Sequence, residues 1–284
     1  MSAALFSRLL DSGQSGEMNR TVTASLEVNL LSPARLAFQV AVADPEGYRA
    51  EETIAMTLDG EEGQWRQLDA PHGGRIWLVD AGRGSLHVDY RATLSASPAP
   101  LAAEAVDELL YLRPSRYCES DRLIGFASRH FRNIDDPHDV LAAVSSWVGT
   151  QLEYVSGSSG PTDGAVDTLL AARGVCRDYA HLAIALLRAM EIPARLAAVY
   201  APGLAPMDFH AVAEACIAGA WYVVDATLLA PRQSLVRIAT GRDAADTSFL
   251  SSYGAPVGLV GMSVTATVEG DLPTDDVRAL ARLG

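Results

Sequence analysis

Residues 176–190 place the strongest constraint on what this chain can fold into. Between residues 180 and 187 the segment is apolar nearly all round, a pattern typical of a helix that is buried on most sides. Pro193 follows closely and ends the helix. Other helices and strands must therefore surround this segment.

The spacing of apolar residues predicts what those other elements are. Alternating runs separated by turn residues predict strands before a division near residues 97–100; these strands cover residues 21–28, 37–42, 52–58, 75–79 and 85–94. Helical spacing then predicts helices, which precede the buried helix and cover residues 101–112, 120–131, 136–152 and 165–172. Strands return over residues 195–200, 208–217 and 220–226. Helices followed by antiparallel strands indicate an α+β domain, preceded here by a small all-β sandwich or barrel.

Charge and lysine content exclude several classes of function. The 284 residues include 35 acidic and 22 basic side chains, for a net charge of −13, and every basic one is arginine. Nucleic acids and anionic membranes are not expected as partners, because binding to either requires a basic face. The absence of lysine also excludes a lysine Schiff base and a P-loop lysine.

The three cysteines, Cys118, Cys176 and Cys216, lie far apart and show no paired spacing. This pattern predicts free thiols in a reducing compartment rather than a disulfide framework or a structural zinc site. Residues 1–19 lack the cationic and apolar runs of a secretory signal, and glycines and a proline interrupt the uncharged span 249–268. We therefore expect a cytoplasmic protein in which that span is a loop leading into a strand.

Cys176 stands where the buried helix begins, two residues after Gly174. Free backbone N–H groups and the helix dipole at such a position favour the reactive thiolate form of a cysteine. A thiol nucleophile also needs a base and a group that orients the base. His210 and Asp225 are the candidates for these roles, because they lie on consecutive predicted strands.

The relative placement of His210 and Asp225 follows from the loop between their strands. A two-residue turn at residues 218–219 places Val212 opposite Asp225, with His210 diagonally adjacent on the same face. A carboxylate in that position can hold the imidazole and fix its tautomer. A loop of odd length would instead place the two side chains on opposite faces.

Two other acidic side chains compete with this interpretation. Glu214 shares the predicted face of His210 and is a rival to Asp225 as the orienting acid. Asp178 and His181 stand three residues apart on one helix, a spacing at which side chains interact. We expect them to form a structural pair that braces the helix rather than a second acid–base couple.

Tyr154 has two possible roles, and so does the set of Cys176, His210 and Asp225. Tyr154 can donate a hydrogen bond to an oxyanion alongside the backbone N–H of Cys176, or its ring can pack at a helix end. Cys176, His210 and Asp225 together suggest a metal site as a competing interpretation, but the sequence offers no evident fourth ligand.

Several segments resemble the core of the bacterial transglutaminase-like superfamily. The segments that carry this resemblance most clearly are Arg173-Gly174-Val175-Cys176-Arg177-Asp178-Tyr179, Ile192-Pro193-Ala194-Arg195, Asp208-Phe209-His210-Ala211 and Trp221-Tyr222-Val223-Val224-Asp225-Ala226-Thr227. Residues 110–117, 154–157 and 237–246 are also similar, so the resemblance covers roughly residues 110–249.

The resemblance implies a papain-like α+β fold with a transglutaminase core, preceded by a small all-β domain. The division near residues 97–100 then separates an N-terminal β-rich domain, residues 1–98, from a transglutaminase-like catalytic domain, residues 99–284. The resemblance also implies that Cys176 is the nucleophile, His210 the base and Asp225 the orienting acid, with no cofactor and no metal.

The chain departs from the family pattern at three positions. Val212 stands where many members have tryptophan, which is expected to change the wall of the acyl site. Ala226 stands where many have proline, and Arg177 where glutamine is common. Arg177 can contact substrate or simply decorate the helix; we favour the second interpretation.

The predicted activity is thiol-dependent hydrolysis or acyl transfer at an amide carbonyl of a peptide or glutamine type, with a peptide or protein as substrate. We expect water to be the usual acyl acceptor. The alternative from another functional class is a catalytically weak peptide-binding or scaffold module that retains the fold. The sequence leaves the oligomeric state open.

Overall fold

A computed structural model describes residues 18–44, 50–95 and 99–284. The first half is built from strands: β1 (Arg20–Leu30), β2 (Ala34–Phe38), β3 (Glu51–Leu58), β4 (Glu61–Glu62), β5 (Trp65–Asp69), β6 (Arg75–Ala81) and β7 (Gly84–Leu94). The helices are α1 (Ala105–Leu110), α2 (Ser120–Phe131), α3 (Pro137–Gln151), α4 (Ala165–Ala171), α5 (Cys176–Ala189) and α6 (Ala244–Thr247). The remaining strands are β8 (Glu153–Tyr154), β9 (Arg173–Gly174), β10 (Ala194–Tyr200), β11 (Phe209–Ile217), β12 (Ala220–Val224), β13 (Val236–Gly241), β14 (Leu250–Tyr253) and β15 (Gly258–Val268).

Two sheets pack face to face as a β-sandwich. One has the strand order β15-β1-β7-β3-β4 and the other β14-β2-β6-β5. Alternate residues of β1, from Val22 to Leu30, are buried together with Phe38 and Trp77 from the opposing sheet. Strict alternation along the strands produces this arrangement, because every second side chain points toward the facing sheet.

The C-terminal strands belong to this sandwich. β15 pairs with β1 from Arg20↔Val268 to Asn29↔Gly258, and β14 pairs with β2. The domain boundary predicted at residue 98 falls in residues 96–98, which are outside the described residues. The sheets therefore take two strands from the part of the chain that the sequence assigned to the second domain. The sequence analysis expected a loop leading into one strand in residues 249–268. The structure has two strands there, because residues 250–253 pair with β2, a partner more than 200 residues away.

A third sheet, β12-β11-β10-β13, carries α5 on one face. The side chains of α5 from Leu182 to Leu187 are fully buried beneath α2, α3 and α4. α3 begins as predicted, with the Asp136 carboxylate accepting a hydrogen bond from the His138 amide and Pro137 at the first helical position. These elements confirm the α+β core around a buried helix.

Two predicted elements differ in extent for identifiable reasons. α1 is shorter than the predicted helix 101–112, because Ala102 and Ala103 instead bond to the β11–β12 hairpin. The strand predicted over 37–42 ends at Phe38, because Gln39 and Ala43 donate their amides to carbonyls of the second half of the chain. β4 and β5 were not predicted, since their residues are exposed and lack an apolar alternation.

The sandwich and the third sheet are joined directly. The Tyr200 hydroxyl donates to the Val40 carbonyl oxygen at 2.6 Å, and the Ala43 amide donates to the Arg237 carbonyl oxygen at 2.8 Å. Tyr200 and Ile238 of the third sheet are buried in the sandwich core. This junction places one side of the sandwich next to the N-terminus of α5.

Candidate active site

The start of α5 is fixed by hydrogen bonds around Cys176. The Asp178 carboxylate accepts from the Val175 amide at 2.8 Å and from the Ser159 hydroxyl at 2.7 Å. A Cβ atom on Gly174 would lie 2.6 Å from the Asp178 Cβ, so glycine is required for this close approach. The Cys176 thiol is free and partly accessible at the first residue of the helix.

The β11–β12 hairpin brings His210 and Asp225 together. Its turn consists of Ala218 and Gly219, both with positive φ, and its strands have the predicted pairing. His210 Nε2 lies 3.0 Å from Asp225 Oδ2, and both side chains are buried. The hairpin register derived from the sequence is confirmed.

Thr227 holds the other oxygen of the Asp225 carboxylate, a contact that the sequence analysis missed. Its amide donates to Asp225 Oδ1 at 2.9 Å and its hydroxyl donates to the same oxygen at 2.7 Å. An aspartate that accepts hydrogen bonds from two residues ahead is a recognised local turn motif, so the Asp-x-Thr spacing was the available signal. Thr227 thereby leaves Oδ2 directed at the imidazole.

Burial and charge act in opposite directions on His210. Burial favours the neutral ring, but the Asp225 carboxylate and the nearby Cys176 side chain prevail and raise the pKa of His210 to about 10. The ring nitrogen Nδ1 is buried and makes no hydrogen bond to the described residues. Nδ1 is therefore the nitrogen available to the Cys176 thiol.

Glu214 is committed to a different interaction. It accepts from Arg195 Nε at 2.9 Å and from both terminal nitrogens of Arg237 at 2.8 Å, with all three residues buried. Although burial opposes ionisation, the two guanidinium groups lower the pKa of Glu214 to about 2. Glu214 is thus a structural counter-ion, and Asp225 is the carboxylate that reaches His210.

The expected pair of Asp178 and His181 is wrong, because each binds elsewhere. His181 Nε2 accepts from the Ala244 amide at 3.1 Å, and its ring stacks on Tyr117 with centroids 5.2 Å apart. Burial lowers the pKa of His181 to about 3, so its ring is neutral. Both residues brace α5, but through separate contacts.

Tyr154 is placed beside Cys176 by the short parallel pairing of β8 with β9, in which Tyr154 lies opposite Gly174. Partial burial and the adjacent Cys176 raise the pKa of Tyr154 to about 12. The phenol therefore keeps its proton at neutral pH and can donate a hydrogen bond. The Tyr154 ring also lies 5.8 Å, between centroids, from the Tyr179 ring of α5, so the placement agrees with both interpretations of Tyr154.

Arg177 fixes the loop next to the helix start. Its Nη2 donates to the Ser159 hydroxyl at 2.5 Å and to the Gly160 carbonyl oxygen at 2.7 Å. Arg177 therefore does more than decorate α5. Val212, by contrast, is buried with Ala197 in a cluster away from the cavity described next, so the expected effect of this residue on the wall of the acyl site is not seen.

A cavity of about 280 Å³ opens beside the paired residues, and Cys176 and His210 both line it. Part of its wall comes from the sandwich, through Gln39, Leu250 and Met262. The thiol and the imidazole thus meet at a space into which a substrate group can enter. The sequence did not predict the contribution of the sandwich.

The other two thiols are buried away from this cavity. Burial raises the pKa of Cys118 and, to a smaller extent, that of Cys216. Both shifts disfavour the thiolate, the reactive form of cysteine. Cys176 is the one cysteine that combines accessibility with a neighbouring histidine.

Membrane-spanning helices and clusters of metal ligands are both absent from the described residues. None of the helices in residues 18–44, 50–95 and 99–284 has the length and apolar character needed to cross a bilayer. The same part of the chain contains no group of three or more His, Cys, Asp or Glu side chains arranged to hold a metal ion.

Comparisons with known proteins agree with this architecture. A family model for the transglutaminase-like superfamily matches residues 124–226. The solved structure of a candidate cysteine protease from Cytophaga hutchinsonii is 32% identical, with a TM-score of 0.85, over 94% of this chain and 96% of that one.

Uncharacterised proteins of two mycobacteria are also similar. One from Mycobacterium leprae is 28% identical over 110 residues, which are 39% of this chain and 39% of that protein. One from Mycobacterium tuberculosis is 36% identical over 115 residues, which are 40% of this chain and 35% of that protein. The matched region thus spans well under half of these curated relatives.

The family model and the Cytophaga hutchinsonii structure together show the family. The chain belongs to the transglutaminase-like superfamily and has the fold of its thiol-dependent peptidases and acyltransferases.

Proposed function

We propose that the protein hydrolyses amide bonds of peptides or proteins through a covalent intermediate on Cys176. The observation that carries this proposal is the His210–Asp225 contact of 3.0 Å at a cavity that Cys176 also lines. A nucleophile, a base and an orienting acid in this arrangement are the components of a catalytic triad. A module that only binds peptides has no need of these three groups together.

The first half of the reaction forms an acyl-enzyme. His210 Nδ1 takes the thiol proton, and the Cys176 sulfur attacks the substrate carbonyl carbon to form a tetrahedral oxyanion. The Cys176 amide and the Tyr154 hydroxyl donate hydrogen bonds to that oxyanion. Collapse of the intermediate breaks the C–N bond, and the imidazolium returns its proton to the departing amine. Asp225 stabilises the imidazolium for as long as His210 carries that proton.

The second half of the reaction consumes water. His210 removes a proton from a water molecule, whose oxygen attacks the thioester carbonyl. The C–S bond then breaks, the carboxylic acid leaves and the proton returns to the Cys176 sulfur. The same three side chains therefore serve both halves.

Water is the proposed acceptor for chemical reasons. A free lysine amine has a pKa of about 10.4, so it is protonated and non-nucleophilic at neutral pH. Transfer to an amine must also outcompete water at roughly 55 M, which requires a site that binds, orients and deprotonates the amine. The chain has no lysine to act as its own donor, although its net charge of −13 can attract a cationic amine.

A partition experiment tests both the enzyme class and the acceptor. The protein is incubated with a peptide library that contains glutamine, together with a dansylated amine, and amine incorporation is compared with ammonia release and backbone cleavage. We expect hydrolysis to predominate, to disappear in Cys176→Ala and to persist in Cys118→Ala and Cys216→Ala. Predominant incorporation of the amine would contradict water as acceptor, whereas turnover by Cys176→Ala would contradict the nucleophile.

A further inference from the structure

The cavity beside Cys176 has a largely apolar wall. Its larger apolar side chains come from five separate parts of the chain: Leu196, Phe209, Ile238, Phe249, Leu250 and Met262. Small alanine side chains on β10 and β11 leave the space between them open. A wall of this composition favours an apolar group, because such a group gains free energy when it leaves water.

The N–H and O–H donors of the neutral polar side chains in the wall already donate to the protein itself. The Gln39 amide nitrogen donates to the carbonyl oxygens of Asp246 and Ser248 at 3.1 and 3.3 Å. The Ser248 hydroxyl donates to the Ala244 carbonyl oxygen at 2.7 Å, and the Thr247 hydroxyl also donates to a backbone carbonyl oxygen. These donors are therefore not free to hold a polar substrate side chain. The carbonyl oxygen of a glutamine side chain placed here would lose its hydrogen bonds with water and find no free donor among these groups, which is unfavourable.

Apart from His210 itself, the two charged residues of the wall lie toward solvent or are engaged. Asp208 is exposed, and one of its carboxylate oxygens accepts from the Phe209 amide at 2.7 Å. Arg177 directs Nη2 at the Ser159 hydroxyl and the Gly160 carbonyl oxygen. Neither provides a buried charge in the interior of the cavity.

We propose that this cavity is the specificity pocket and takes one large apolar side chain, of leucine, methionine or phenylalanine size, from the residue whose carbonyl Cys176 attacks. The inference rests on the proposed function and adds the substrate class to it. A volume of about 280 Å³ lies just below the range of small-molecule pockets, about 300–1,000 Å³, so the cavity has room for a large side chain but not for a long chain. The substrates are therefore peptide bonds that follow a large apolar residue, not glutamine side chains.

Peptidyl acyloxymethyl ketones test this pocket without requiring turnover. The Cys176 sulfur displaces the carboxylate of the reagent and forms a thioether, which intact-mass measurement and peptide mapping detect. Reagents that differ only in the residue next to the ketone are compared: leucine, phenylalanine, alanine, glutamine and glutamate. We expect leucine and phenylalanine to alkylate Cys176 at least about tenfold faster than alanine, and glutamine no faster than alanine. Equal rates, or a preference for glutamine or glutamate, would overturn the proposal.

Two substitutions on one strand locate the pocket. Met262 and Leu259 both lie on β15 and are 40% and 41% exposed, but of the two only Met262 lines the cavity. Met262→Glu is expected to reduce the leucine-to-alanine rate ratio at least fivefold, while Leu259→Glu leaves the ratio unchanged. An unchanged ratio in Met262→Glu, or an equal loss in both variants, would contradict the assignment.

Iodoacetamide has no side chain to place in the pocket. It therefore tests the proposed function, with Cys176 as nucleophile, separately from the pocket. We expect it to alkylate Cys176 of the wild type and of Leu259→Glu at the same rate, and faster than Cys118 or Cys216. If Cys176 reacts with iodoacetamide but the ketones show no preference, the pocket is wrong and the nucleophile stands. If Cys176 is unreactive toward iodoacetamide and every ketone, the proposed function and the pocket fail together.

Discussion

At the scale of single residues, two carboxylates on the β11–β12 hairpin have separate roles because their partners differ. Asp225 contacts His210, whereas Glu214 neutralises Arg195 and Arg237. We expect Asp225→Asn to reduce kcat by on the order of 10⁴-fold, the size of the loss when a comparable triad loses its acid. Glu214→Gln should retain most of the activity per folded molecule. Steady-state assays corrected for the folded fraction test this, and a greater loss in Glu214→Gln would contradict the assignment.

The raised pKa of His210 predicts the alkaline side of the pH profile. The imidazolium must donate its proton to the leaving amine, so kcat/KM is expected to fall only as the pH rises through about 10. In Asp225→Asn the negative charge is lost while burial remains, so the pKa of His210 falls and the alkaline limb moves to lower pH. Glu214→Gln is the control and should leave the limb in place. A limb that does not move in Asp225→Asn would show that another group titrates.

At the scale of elements, the Glu214 ion pairs tie β11 to β10 and β13. The folded-state pKa of Glu214 is about 2 against an ordinary value of 4.5, so its contribution to stability is fully present above pH 4.5 and is lost as the pH falls toward 2. We expect Glu214→Gln to lower the free energy of unfolding at pH 7 by about 3–5 kcal/mol, because two buried guanidinium groups lose their counter-charge.

Urea denaturation of wild type and Glu214→Gln at pH 7 and pH 3 measures this effect. The difference in unfolding free energy between the two proteins should shrink at pH 3, where part of the wild-type contribution has already been lost. A difference of the same size at both pH values would contradict the role of the carboxylate charge. His210 and Asp225 are unchanged in both proteins, so their titration affects both alike.

The junction of β9 and α5 depends on the absence of a side chain at Gly174. Gly174→Ala places a Cβ atom 2.6 Å from the Asp178 Cβ, so the residue that fixes the helix start must shift. We expect a loss of about 1–3 kcal/mol in unfolding free energy and a fall in kcat. Gly125→Ala in α2 is the matched control, since its new Cβ meets no atom within 4 Å and alanine favours helix by up to about 1 kcal/mol. Thermal unfolding and kcat of both variants decide the matter; an active, stable Gly174→Ala would contradict the packing.

The sequence predicted correctly those elements that nearby residues determine, and it missed those that depend on contacts with distant parts of the chain. α2 lies where its apolar spacing placed it, and the Ala218-Gly219 turn determined the hairpin register because a two-residue loop allows only one pairing. α1 is shorter than its pattern suggested because of contacts made by Ala102 and Ala103 with a distant turn. The site followed the same rule: Cys176 was recognisable from its helix, whereas the role of Glu214 depends on two arginines from other strands.

At the scale of the whole molecule, the sandwich is part of the candidate active site. Leu250 and Met262 line the cavity beside Cys176, and β14 and β15, which carry them, complete the two sheets of the sandwich. Tyr200 and Ala43 connect the sandwich to the third sheet by hydrogen bonds. The pairings of β15 with β1 and of β14 with β2 join segments more than 200 residues apart, so no local pattern could have predicted them. The family resemblance covered the core that holds Cys176, but not the wall that the sandwich supplies.

The central claim, that Cys176 forms an acyl-enzyme, is tested most directly by trapping that intermediate. A panel of activated peptide esters with different side chains is mixed with the protein, quenched with acid and analysed by intact mass and peptide mapping. We predict an added acyl group on Cys176 in the wild type and none in Cys176→Ala. Absence of the adduct with every ester, or an equal adduct in Cys176→Ala, would contradict the account and favour a peptide-binding module that retains the fold.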